Sequence, residues 1–130
     1  MRKNAREAVF KITFATLFHD DCPNAFRAAM YRQEKLDESD RAYAEVLYGL
    51  VQEHREELSS AISARIQRFA DYRIYPVDKA IMLVALAEIR YYDEVPPVVS
   101  VSEAAALARK YSTENSADFV NGVLGGIINE

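Results

Sequence analysis

Phe119-Val120-Asn121-Gly122-Val123-Leu124, followed by Gly125-Gly126-Ile127-Ile128, is the stretch on which the fold assignment turns. Phe119, Val120, Val123, Leu124, Ile127 and Ile128 recur at intervals of three and four, which predicts a terminal amphipathic helix buried along one side. Three of the chain's four glycines, Gly122, Gly125 and Gly126, fall inside it. An interior glycine costs a helix about 1 kcal/mol relative to alanine. Three together therefore imply a close approach to this backbone. Either a neighbouring helix packs there without intervening side chains, or a ligand or nucleic acid comes in from the open side. Packing that tight at Gly122 would make Gly122→Leu unfold the domain.

The same periodicity extends upstream. Ser112 to Ser116 reads as the turn and cap that precede the glycine-bearing helix. Ser100 and Glu103 read as a capping box opening a helix through Ala104, Leu107 and Ala108 to Tyr111. The residues from Asp93 to Pro97 end the helix before it, and Val98 to Val101 alternates weakly enough to compete as a strand. From Val77 to Ile89 apolar residues lie on nearly every side, so this helix, opened by Pro76, is predicted to be the most buried. Leu58, Ile62, Ile66 and Phe69 form one helical stripe, and Tyr43, Val46, Leu47, Leu50 and Val51 form another, capped by Ser39 and running to His54 with a break at Arg55 to Glu57. A short helix carries Phe26, Ala29 and Met30. The first helix starts near Asn4 and runs to about His19, with Ala5, Ala8, Val9, Ile12 and Ala15 on one stripe. The expectation is about seven helices, an all-α chain with no convincing strand and a single domain over residues 1–130.

Length and composition agree with that reading. A 130-residue chain that is 50% apolar buries enough surface for an ordinary core. The single cysteine, Cys22, has no partner for an internal bridge and no companions at metal-ligand spacing, as expected in a reducing compartment. No apolar run approaches the ~20 residues of a membrane span. The basic start lacks the apolar core of a signal peptide, so a cytoplasmic protein without a membrane partner is expected. The formal net charge of −4 argues against a protein that binds nucleic acid over its whole surface. Its distribution is more informative. Arg2, Lys3, Arg6 and Lys11 face only Glu7 in the first eleven residues, a local +3 that leaves −7 for the remainder. Arginine and lysine at a helix N-terminus oppose the helix dipole unless an anion is expected there.

The chemistry of turnover is missing. His19 and His54 are the only histidines, and the sequence has no glycine-rich phosphate loop, paired cysteines or nucleophile elbow. No catalytic residue, metal ligand or cofactor is expected, and the protein reads as a non-enzyme. Tyr91, Tyr92 and Tyr111 lie near predicted helix ends, where a ring either packs on the domain or stacks on an unpaired base.

Several segments together resemble a known family. Asn4-Ala5-Arg6-Glu7-Ala8 after a basic start, Asp78-Lys79-Ala80-Ile81 leading to Ala87-Glu88-Ile89, Val95-Pro96, Ser102-Glu103-Ala104, Ala108-Arg109-Lys110-Tyr111 and the closing Phe119 to Leu124 resemble the NusB family of bacterial antitermination factors. The match in order and spacing covers about half the chain; residues 20–70 match only as a helical pattern. The resemblance implies an all-α fold of two small helical bundles packed together. It implies partnership with the ribosomal protein NusE and with single-stranded boxA RNA. In that role the protein would help the RNA polymerase elongation complex read through ribosomal RNA operons. RNA contacts of the family map to Arg2, Lys3, Arg6, Tyr111 and Phe119, and NusE contacts to Phe14 and Asp78. Single-stranded RNA offers splayed bases for edge and stacking contacts, and an acidic surface suits a basic ribosomal protein.

Asn4 interrupts what is often a longer arginine run in the family, and Asp118 stands where a basic residue is common. Both oppose RNA binding by the chain alone and point to a ternary complex in which NusE supplies the remainder. Two alternatives stay open: a helical protein-interaction module without RNA binding, and the N-terminal RNA-binding domain of a ribosomal RNA methyltransferase.

Overall fold

The computed structural model describes residues 2–18, 22–68 and 74–130. Seven helices follow one another: α1 (Arg2–Thr16), α2 (Asn24–Gln33), α3 (Glu38–Glu53), α4 (Arg55–Ile66), α5 (Pro76–Tyr91), α6 (Pro97–Tyr111) and α7 (Glu114–Ile128). The described residues contain no strand. The N-terminal helices α1 to α3 make one bundle and α4, α6 and α7 the other, and α5 runs between them in contact with α1, α3, α4, α6 and α7.

This central position follows from the α5 sequence. Pro76 occupies the first turn, where its missing N–H goes unneeded and its fixed φ suits the helix. From Ala80 to Glu88 every residue is buried. A helix that is apolar all round can be stable in water only if it is enclosed. Ile81, Met82, Leu83 and Leu86 are at most 1% exposed, and each contributes roughly 1.5–3 kcal/mol by leaving water.

The ends of the elements depart from the sequence reading in instructive ways. Helix α1 starts at Arg2, so Asn4 is helical and not a cap; its predicted end at His19 lies outside the described residues, as does Phe69 of the α4 stripe. Asp37, not Ser39, caps α3, its carboxylate accepting the Asp40 N–H at 2.8 Å. The predicted break after α3 is a single residue, His54, whose N–H donates to the Leu50 carbonyl while its own carbonyl accepts from Leu58. Helix α6 begins at Pro97, three residues before the predicted capping box. Proline at N1 starts a helix as readily as it ends one. Val98 to Val101 is therefore the first turn of α6, and Ser100, being inside the helix, turns its hydroxyl on Glu88 instead of on the backbone. Thr113 caps α7 by accepting the Ser116 N–H at 3.0 Å.

Helix α7 is a core element as expected, with Val120, Val123 and Leu124 fully buried. No neighbouring helix packs against its glycines without intervening side chains. A Cβ at Gly122 or Gly125 would meet nothing within 4 Å, whereas one at Gly126 would collide with the Arg65 guanidinium of α4. The reason is helical phase: Gly122 shares its face with exposed Asp118 and Asn121, opposite the buried stripe. A side chain at Gly122 therefore overpacks nothing, contrary to the expectation for Gly122→Leu. Gly122→Ala should instead raise stability by up to about 1 kcal/mol, read as an upward shift of the thermal midpoint, and Gly122→Leu should retain a cooperative transition, while Gly126→Leu, which must displace Arg65, should lower it.

Candidate nucleic-acid interface

The first turn of α1 and the last turn of α6 lie side by side, and between them runs a groove of about 340 Å³ lined by Lys3, Glu7, Glu103, Ala106, Leu107, Arg109 and Lys110. Both helix ends contribute cations. At the α6 C-terminus Arg109 and Lys110 are favoured by the dipole, whereas Arg2 and Lys3 at the α1 N-terminus are opposed by it. The arrangement gains from an anion brought in from outside. Lys3 and Arg109 are exposed, and among the described residues neither is in an ion pair. Arg2, also exposed, lays its guanidinium 4.4 Å from the centre of the Tyr43 ring and 5.6 Å from that of Tyr92. The two rings meet edge to face at 5.2 Å. Cation–π contact of this kind orients an arginine without neutralising it.

Arg6 faces the other way. It is 8% exposed, and its Nε donates to both oxygens of Glu88 at 3.0 and 3.1 Å, while the Ser100 hydroxyl donates to the same carboxylate at 2.5 Å. The three residues sit on α1, α5 and α6, so a buried charge cluster ties the α1 start to the other bundle. Arg6 shares the stripe of Val9 and Thr13, both fully buried, whereas Arg2, one turn earlier on the same face, is the first residue of the helix and lies beyond the part that is covered.

Glu7 occupies the wall of the groove. Its carboxylate accepts from Lys110 Nζ at 2.6 Å and from the Tyr111 hydroxyl at 2.8 Å. Burial by itself would raise the Glu7 carboxyl, but these hydrogen bonds and the nearby ammonium charges outweigh it and hold the group below the ordinary carboxylate value. Lys110 is pushed up, first by its hydrogen bond to Glu7. The Tyr111 ring is half-buried, tilted against Phe10 at 5.3 Å, with the Lys110 and Lys11 ammonium groups 5.3 and 5.6 Å from its centre. Phe119 is 8% exposed and belongs to the core.

A second surface lies around the end of α1. Phe14 is half-buried and meets Phe18 edge-on at 5.3 Å, and Phe18 is 60% exposed. Leu17, Phe18, Ile74, Pro76 and Lys79 line a groove of about 250 Å³ there, next to exposed Tyr75. Exposed aromatics in a contiguous patch mark an interaction face more often than a monomer surface. Asp78 is fully buried beneath the α5 start, and its carboxylate accepts from the Ser116 hydroxyl at 2.9 Å, which holds the first turn of α7 against α5.

The predicted site residues thus separate: Arg2, Lys3 and part of Tyr111 reach the surface, whereas Arg6, Phe119 and Asp78 are buried. Residue-by-residue reading passed over Arg109, Lys110 and the partnership of Glu7. A signal for them existed, because Glu103, Ala106, Leu107 and Lys110 fall on one helical face. No set of His, Cys, Asp and Glu that could hold a metal ion occurs among the described residues, and none of the described helices is long and apolar enough to cross a membrane.

The NusB family model matches residues 3–129. The chain belongs to the NusB family. Curated relatives include the transcription antitermination protein NusB of Agathobacter rectalis, 36% identical over 125 residues and aligned over 95% of both chains. That of Salinibacter ruber is 35% identical over 128 residues, covering 98% of this chain and 80% of the relative. Among solved structures, T. maritima NusB superimposes with a TM-score of 0.84 at 27% identity, over 100% of this chain and 92% of that one. The fold is also shared, with a TM-score of 0.86 at 24% identity over 98% of this chain and 96% of that one, with a crystal structure of antitermination factors NusB and NusE in complex with double-stranded RNA. The family comprises non-enzymatic antitermination factors, and the NusB-like all-α fold is the one described above.

Removing one partner of a buried ion pair strands the other charge, which costs about 3–5 kcal/mol. Glu88→Ala should therefore lower stability by that order in chemical denaturation, and the paired replacement Arg6→Met with Glu88→Leu should restore most of it.

Proposed function

We propose that this NusB-family protein is a transcription antitermination factor that holds RNA on the α1–α6 edge and NusE on a separate face, and so couples both to RNA polymerase in ribosomal RNA operons. The observation that carries the reading is the meeting of two cationic helix ends over one open groove in an otherwise acidic protein. Such a surface attracts phosphates locally without coating the molecule. The RNA is single-stranded and boxA-like, its backbone running past Arg2, Lys3, Arg109 and Lys110, with Tyr111 at the edge of the path. Arg6 and Phe119 support the path from beneath, Arg6 by fixing the α1 start and Phe119 by seating the first turns of α7. Exposed Asp118 lies close to this edge in sequence and limits affinity for RNA alone, so the tight complex is ternary.

NusE is assigned to the apolar corner at Phe14 and Phe18. Asp78 acts there indirectly, since it shapes the α5 start from which Pro76 and Lys79 reach the groove. A protein-interaction module without RNA binding is favoured by one observation, the internal pairing of Arg6 with Glu88 and of Lys110 with Glu7, and the titration below separates the two.

With about four phosphate contacts, log affinity for a labelled boxA-like RNA should fall with log salt at a slope near −3, from about −0.7 per contact. Alanine at Arg2, Lys3 and Arg109 together should abolish most of that slope, measured by fluorescence anisotropy with and without NusE; absence of binding in both conditions removes the RNA reading. Phe18→Glu should weaken NusE binding at least tenfold in calorimetry while leaving the thermal midpoint near that of the parent, because the side chain is mostly in solvent.

A further inference from the structure

Lys110 has the position of an RNA-binding cation but already has an anion. Its side chain is 61% exposed on the groove, and its ammonium group touches a carboxylate, that of Glu7, whose side chain is 10% exposed. The second oxygen of the same carboxylate lies 3.2 Å from Lys110 Nζ, and the Tyr111 hydroxyl donates to the first. Glu7 therefore presents two oxygens to an ammonium and a phenol hydroxyl, as a phosphate in the groove would. The remaining cations of the groove, Lys3 and Arg109, have no such internal partner among the described residues.

We propose that Glu7 is an internal competitor for the RNA backbone, an electrostatic latch that occupies Lys110 and Tyr111 until a phosphate takes its place. The inference rests on the RNA-binding reading of this edge and adds its regulation. Three physical features make the latch releasable. The pair is solvent-exposed on the lysine side, and exposed ion pairs contribute little, so a backbone phosphodiester, itself a monoanion with two free oxygens, can take the carboxylate's place when further contacts hold the strand. Lysine is a flexible point charge with three donors and can leave one anion for another without a fixed fork geometry. Glu7 itself is held in place by burial on α1, so after release its charge remains in the groove wall and repels any RNA that does not supply enough further contacts. Weak, non-specific strands are rejected by the same group that a well-fitted strand overcomes.

The test is Glu7→Gln, which keeps shape and hydrogen-bonding capacity and removes the charge. Its affinity for boxA-like RNA in the presence of NusE should rise about two- to fivefold at physiological salt, the size expected of an exposed pair, with the log–log salt slope staying near −3 because Lys110 is already one of the about four phosphate contacts. Lys110→Ala should lower RNA affinity more in the Glu7→Gln background than in the parent, a coupling read from the double-mutant cycle. Equal cost of Lys110→Ala in both backgrounds, or unchanged or weaker RNA binding by Glu7→Gln, overturns the latch and makes Glu7 a residue that positions Lys110. A second measurement needs no variant at Glu7: in the parent chain, the ammonium resonance of Lys110, assigned through Lys110→Arg, should shift on saturation with RNA, and a resonance that stays in place also overturns the proposal. Failure of the parent chain to bind RNA with or without NusE would instead remove the underlying RNA reading, so the two failures are distinguishable.

Discussion

Enclosure of α5 is the constraint on which the rest of the molecule depends. Because its side chains are apolar around nearly the whole circumference, five other helices must each contribute a face to it, and this alone forces the two bundles together. The helix also carries an acid near each end, Asp78 and Glu88, and both are buried. Asp78 accepts from Ser116 of α7, and Glu88 from Arg6 of α1 and Ser100 of α6. Hydrophobic burial is non-directional and would tolerate rotation or sliding of the outer helices. Buried carboxylates tolerate much less, because each needs donors at fixed positions.

The surface follows from this interior. Fixing Arg6 to Glu88 places the α1 start beside α6, so that Lys3 comes to share a groove with Arg109 and Lys110, more than a hundred residues away along the chain. Two of the five cations in this region are used internally, Arg6 by Glu88 and Lys110 by Glu7. The distinction between them is exposure: the first pair is sealed in the core and structural, the second opens onto solvent and is available for exchange. On the proposed RNA edge, internal pairing thus leaves only part of the positive charge unpaired, which fits the proposal that a protein partner supplies the remainder of the binding.

How much was legible in the sequence depended on the kind of signal. The helices were, since apolar residues at intervals of three and four persist over every segment from Ala5 to Ile127. Caps were less so: Ser39 and Ser100 are good capping residues by type, yet Asp37 and Pro96 occupy those positions, because a cap is selected by where the chain turns as well as by its side chain. The basic start was visible as a cluster of charge, but the cluster could not reveal that Arg6 points inward. The three glycines were visible as an anomaly, but the inferred cause, a helix packed there without intervening side chains, holds at none of them: nothing approaches Gly122 or Gly125, and what lies against Gly126 is the Arg65 side chain.

The sequence by itself determined that the chain is helical, that α5 lies at its centre, that a cationic end sits on an acidic body, and which family it resembles. These are properties of local periodicity, composition and ordered motif, and they need no knowledge of contacts. Only the tertiary structure decided which cations are unpaired among the described residues, that the last turn of α6 joins the first turn of α1 in one groove, and that Phe119 and Asp78 are buried. Those facts depend on rotations of one helix against another, set by a few buried polar contacts between residues far apart in the chain, and a one-dimensional pattern carries no information about such angles until the helices are packed.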